Sequence, residues 1–96
     1  MKILYLPGAL KDLVWFTRYY TVVFAQGRKN AVAHYRVSEK LIADNPFVGK
    51  QIEGTALRKL MISKTPFSIA YKIQRQEIII HRIIDQRSFT TPDIEE

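Results

Sequence analysis

Residues 78–87 read IIIHRIIDQR: five isoleucines in the first seven positions, then a run-out through Asp85 to Arg87. Consecutive β-branched residues with no polar alternation mark a strand covered on both faces, so this strand should be central in its sheet. Strict alternation puts Arg82 with Ile78, Ile80 and Ile84, and His81 with Ile79, Ile83 and Asp85. An arginine in such a strand must find an acceptor or reach water. It either pairs with Asp85 or a helix carboxylate, or opens into a groove where an anion can meet it.

Two further strand-like segments precede it. FSIAYKI (67–73) alternates, with Phe67, Ile69, Tyr71 and Ile73 on one face and Ser68, Ala70 and Lys72 on the other. ALRKLMI (56–62) mixes apolar and basic residues. QRQ (74–76) is short enough for a hairpin turn, and SKTP (63–66) joins the first two strands, with Pro66 where a missing N–H is tolerated. The segment NPFVGKQIEGT (45–55) has Pro, two Gly and no periodicity, and reads as a loop.

The first half is helical in pattern. KILYL (2–6) is a short strand ended by Pro7-Gly8, and Pro7 suits the first turn of a helix. Ala9, Leu13, Phe16 and Tyr20 then lie on one face of a helix running to about Phe24, while Trp15, Tyr19 and Val22 on a neighbouring face widen the apolar arc and read as core. AQGRKN (25–30) is a tight turn, and Ala31, Tyr35, Ser38, Leu41 and Ile42 mark a second amphipathic helix that stops at Asn45, before Pro46. The order strand, helix, helix, strand, strand, strand predicts an α+β domain over residues 1–88: an N-terminal strand and an antiparallel helical hairpin packed on an antiparallel sheet, completed by a three-stranded meander. No internal repeat or linker is evident. The acidic end TTPDIEE closes a tail over 89–96.

Composition narrows the chemistry. The chain has 96 residues, 47% of them hydrophobic, enough for one thin core. With no cysteine, disulfides, thiolate zinc sites and a cysteine nucleophile are excluded. Only two histidines accompany scattered carboxylates, so neither a metal site nor a cofactor is expected. No run approaches the roughly 20 apolar residues of a membrane span, and MKILYLPG is too short for a signal-peptide core, so a cytoplasmic protein without a membrane partner is expected. The net charge is +6 and the pI about 9.8. Three acidic residues fall in the last four positions, so residues 1–92 set all fifteen Lys and Arg against six carboxylates. Such a body attracts polyanions or an acidic protein.

None of the common nucleotide-binding or hydrolase motifs is present, and Asp12, Glu39, Asp44, Glu53 and Glu77 show no dyad spacing and read as solvated charges. The basic residues of the strands are the candidates for chemistry: Arg58, Lys59, Arg82 and Arg87 could converge on one sheet face. Metal-free cleavage of RNA by its own 2′-OH needs an acid, a base and positive charge on the phosphorane. His81 could act as acid or base, with Lys59 and Arg87 as further catalytic candidates.

The pattern over residues 3–87 resembles the RelE/ParE toxins of bacterial type II toxin–antitoxin modules. It is carried by PGALKDLVWFTRYY, by LIADNPFVGKQIEG with its Asn45-Pro46 break and Gly49, by LRKLMISKTPFSIAYKI, where Arg58, Leu60, Pro66-Phe67, Ile69 and Tyr71 stand in order, and by IIIHRIIDQR. The resemblance implies a growth-inhibiting, plasmid-stabilisation type of toxin, neutralised by a cognate antitoxin of the ribbon-helix-helix type with an acidic C-terminal segment. RelE-like members cut mRNA on the ribosome; ParE-like members inhibit DNA gyrase. The RelE-like set usually has an Arg where Ser68 stands, and a Tyr or His shortly after the last strand, where Arg87 is followed by Ser88-Phe89-Thr90. The chain is therefore closer to ParE-like members. Arg58, Lys59, Arg82 and Arg87 become the expected target- or antitoxin-binding residues, with the ribosome-dependent endoribonuclease and an inactive basic binding domain as alternatives.

Overall fold

The computed structural model describes residues 1–23 and 28–87; the centre of the 25–30 turn and the 89–96 tail lie outside them. The architecture is α+β. Strand β1 (Lys2–Tyr5) leads into helix α1 (Pro7–Arg18), which widens into a π-type turn over Tyr19–Val23; helix α2 (Arg28–Asp44) follows. Strands β2 (Lys50–Gln51), β3 (Leu57–Met61), β4 (Phe67–Gln74) and β5 (Glu77–Asp85) complete the chain. The sheet order is β1-β5-β4-β3-β2. β5 is therefore an interior strand, flanked on both sides as its isoleucines require, though the middle position goes to β4, and the strand on its outer side is β1. That pair is parallel, from Lys2 opposite Glu77 to Tyr5 opposite Ile80, so the sheet is mixed. The other pairs are antiparallel. A parallel neighbour needs a long crossover, and the whole helical layer supplies it. The two-residue β2 lies inside the predicted loop, paired with β3.

The core lies between the helices and one face of the sheet. Ala9, Phe16 and Tyr20 of the first helical stretch and Ala31, Tyr35 and Ile42 of α2 are buried against Phe67, Ile69, Tyr71, Ile78, Ile80 and Ile83. Phe16 touches Phe67 edge to face at 5.0 Å and lies 5.7 Å from Tyr35, joining both layers. The arc containing Trp15 and Val22 departs from the core expectation: these side chains are 50% and 71% exposed. The helix buries only the stripe that faces the sheet.

Alternation in β5 also breaks. Tyr71 pairs with Ile80, but Ala70 pairs with Arg82, leaving His81 as the extra residue of a β-bulge. Ile83, not Ile84, therefore joins Ile78 and Ile80 in the core beneath the helices. The sequence-based faces hold up to Ile80 and invert beyond it.

The connections around β3 use one turn design twice. In Ile52–Leu57 and again in Ile62–Phe67, the first Ile amide bonds to the last carbonyl, at 2.8 and 2.9 Å. The Thr hydroxyl (Thr55, Thr65) donates to the Ile carbonyl and accepts the amide two residues later. The residue before each Thr is left-handed: Gly54 at φ 78° and Lys64 at φ 60°. The paired pattern I-x-x-T-x-(L/F) is a local motif, not a domain repeat.

The loop after α2 is pinned from below. Tyr71, fully buried, donates its hydroxyl to the Pro46 carbonyl at 2.6 Å and accepts the Gly49 amide at 2.9 Å. A Cβ at Gly49 would stand 2.6 Å from that hydroxyl oxygen and 2.8 Å from Cε1 of the ring. Gly49→Ala is expected to cost about 1–3 kcal/mol in urea unfolding. Combined with Tyr71→Phe, its effect should be markedly less than additive, because the two changes disrupt the same contact; strict additivity would contradict this packing.

Candidate functional site

The basic candidates are not gathered in one groove. Arg58 sits opposite Tyr71, on the helix side of the sheet. Its Nη1 donates to the Gly49 carbonyl at 2.8 Å and to that of Phe47 at 3.4 Å, and its guanidinium lies 4.9 Å from the Phe47 ring centroid. Arg58 thus secures the loop that Tyr71 pins.

Lys59, the next residue of β3, faces the other way. It pairs with Ala70 and reaches Gln86, just past β5, through an Nζ to Oε1 bond of 3.3 Å. Arg82 lies two strands from Lys59, about 10 Å across the sheet. Its Nε and Nη2 grip the two oxygens of Asp12 on α1, at 2.7 and 3.3 Å. A helix carboxylate is therefore the acceptor, one of the alternatives left open by the sequence. Asp12 is not a solvated charge, because its Oδ2 also accepts the Ile83 amide at 3.0 Å. β1 stops pairing at Tyr5, and the Leu6 amide takes the Ile80 carbonyl at 3.0 Å before the chain turns into α1. Beyond that point the edge of β5 would face no strand. Asp12 caps it, and its hydrogen bond holds the Arg82 guanidinium above its ordinary pKa.

Arg87 closes the helix-side end. It binds Asp85 through its backbone amide (2.9 Å), Nε (3.1 Å) and Nη2 (3.0 Å), while Nη1 donates to the Tyr19 hydroxyl at 2.8 Å. The guanidinium lies 5.0 Å from the Tyr19 ring and 5.8 Å from that of Phe67. Trp15 stacks on Tyr19 at 5.6 Å, extending the platform to the surface. Arg87 holds the Asp85 carboxyl below the usual carboxylate range, chiefly by side-chain hydrogen bonding. His81 is buried, at 8% exposure, in the bulge of β5. Ser68, where the resemblance would want an arginine, is fully buried and donates to the Met61 sulfur at 2.7 Å.

The set is thus divided. Arg58 and Arg87 belong to the helix side, Lys59 to the open side, Arg82 to the strand edge and His81 to a buried bulge. No group of three or more His, Cys, Asp or Glu among the described residues could hold a metal.

Sequence reasoning missed two features. One is Asp12, whose partners lie 70 and 71 positions away. The other is an apolar surface on the first helical stretch. Leu10, Val14, Trp15 and Val22 are exposed, and a cleft of about 650 Å³ is lined by Leu13, Val14, Thr17, Arg18, Thr21 and Val22. Their spacing in the sequence is visible, but an apolar stripe reads as core until something fails to cover it. A second cleft, about 330 Å³, lies between β1 and the helices, where Tyr5 donates its hydroxyl to Glu39 and also meets the Tyr35 hydroxyl. Burial, reinforced by Glu39, pushes the Tyr5 phenol far above its ordinary pKa, so its hydroxyl stays protonated as a hydrogen-bond donor.

Asp12→Ala strands both a guanidinium and a strand amide, and should cost about 2–3 kcal/mol. Arg82→Ala leaves Asp12 on the Ile83 amide and removes only a partly exposed pair, so about 1 kcal/mol is expected. Equal losses for the two variants in urea denaturation would show that the amide cap contributes nothing.

No family model and no curated protein sequence matches this chain. Among solved structures it is similar to a chain of the chromosomal ParDE TA system from P. aeruginosa, with a TM-score of 0.69 and 24% sequence identity over 86% of this chain and 92% of that one. At that identity the likeness is one of fold, over most of both chains.

Proposed function

We propose that this chain is the toxin of a type II toxin–antitoxin module, neutralised by a cognate antitoxin, and that it acts by binding DNA gyrase rather than by cutting RNA. What carries the reading is the division of the basic set. Phosphoryl transfer without a metal needs charge and a proton carrier aimed at one phosphate. Here the guanidinium groups of Arg58, Arg82 and Arg87 are committed to carbonyls or carboxylates, and Lys59 lies across the sheet from Arg58. The fold likeness to a chain of a ParDE system supports the same reading.

Two surfaces suit the partners. The apolar face of α1 is bordered by Lys11 and Arg18, both exposed, and fits an amphipathic segment with acidic flanks, such as an antitoxin tail. At the end of β5 the side chains of Arg82 and Arg87 keep 41% and 51% of their exposure, so an acidic segment or the target can still meet them. Arg58 and Lys59 would contribute from the far side of β4.

The purified chain, added to a gyrase supercoiling reaction, is expected to stop supercoiling, and the antitoxin encoded beside it should restore it. Uninhibited supercoiling at large molar excess, together with cleavage of mRNA on programmed ribosomes, would reverse the assignment.

A further inference from the structure

The face of the sheet turned away from the helices carries a lysine cluster of which the site above uses only Lys59. Lys50 of β2 and Lys59 of β3 stand directly opposite each other, and Lys72 of β4 is diagonal to Lys59 on the same face. Like charges facing each other across a strand pair destabilise the sheet, so this placement favours a counter-charge beyond the described residues. Lys50 and Lys72 have no ion-pair or hydrogen-bonded partner among the described residues. Lys2 lies on this face too, at the far edge, beside the sole acidic side chain that the described strands place there, Glu77. Between the lysines lie Leu57, opposite Lys72, and Ala70, opposite Lys59, both fully buried.

We propose that this lysine face binds the phosphodiester backbone of nucleic acid without regard to sequence. Two features favour a phosphate backbone over an acidic peptide. An extended peptide seeks a free strand edge for its amides, and of these lysines only Lys50, on the two-residue edge strand β2, borders one. Peptide side chains also seek apolar pockets, and the residues between these lysines, Leu57 and Ala70, are fully buried and offer none. Lysines act on phosphate as point charges and need no directed acceptor geometry. No Phe, Tyr or Trp among the described strand residues stands on this face, so bases have nothing to stack on. Affinity should therefore be weak, salt-sensitive and independent of base sequence. The face would bind nucleic acid whether or not the chain is a gyrase-directed toxin, and DNA held by a topoisomerase would be within its reach.

Fluorescence anisotropy of labelled duplex DNA and of single-stranded RNA, titrated with the full chain as salt rises from about 50 to about 200 mM, tests this. With three phosphate contacts, log K against log salt should fall with a slope of about −2.7 for duplex DNA, and in Lys50→Ala/Lys72→Ala the slope should shrink to about −0.9. Arg36→Ala/Lys40→Ala removes the same charge from α2 and should leave the slope unchanged, with circular dichroism checking that both variants fold. The better-bound of the two nucleic acids identifies the source of the backbone. Absence of binding at low salt, an equal loss in the α2 variant, or tighter binding of a polyglutamate peptide than of either nucleic acid would overturn the proposal.

Discussion

One carboxylate determines how the two layers meet. β5 is longer than its parallel neighbour β1, and past Ile80 its outer edge would present bare amides to the protein interior. Unpaired buried N–H groups of this kind cost about 1–3 kcal/mol each. Asp12 stands one and a half turns into α1, reaches that edge, and takes both the Ile83 amide and the Arg82 guanidinium. The bulge at His81 brings Arg82 to this position and turns Ile83 inward. The same layers also meet where Phe16 packs edge to face on Phe67 and where Ile83 is buried in the core.

The functional reading follows from the same constraint. A cluster of arginines along a sheet looks in sequence like a phosphate site. In the folded chain Arg82 ties helix to strand, Arg58 ties loop to strand, and Arg87 ties the end of β5 to the aromatic platform of Trp15 and Tyr19. What remains for partners is of two kinds: an apolar helical face with basic borders, and a lysine face on the opposite side of the sheet. On the proposed reading both serve as surfaces for binding.

Much of this was legible in the residues. The isoleucine run placed β5 in the interior of the sheet, the alternation of β4 named its core face, and Ala9, Phe16 and Tyr20 marked the buried stripe of the first helix. Pro46 marked the end of α2. Other features have no local signature. A bulge changes which side chains face the core without changing composition, so Ile83 and Ile84 were exchanged. Parallel pairing of β1 with β5 joins segments at opposite ends of the chain. Asp12 looks like any helix charge until its partner arrives from the last strand. Lys50 lies in a Pro- and Gly-bearing stretch whose two-residue strand is set by β3, not by its own propensity. The exposure of Trp15 and Val22 depends on what the helix lacks above it, which periodicity does not report.

The most direct test of the proposal that the chain is a toxin that binds rather than cuts is its brief induction in a bacterial host, with labelled thymidine and labelled methionine followed over the first minutes. Thymidine incorporation should fall first, with methionine incorporation declining only later. Should protein synthesis fall first while DNA synthesis continues, the division of the basic residues would have been misread, and Lys59, His81 and Arg87 would have to be brought together by the target itself.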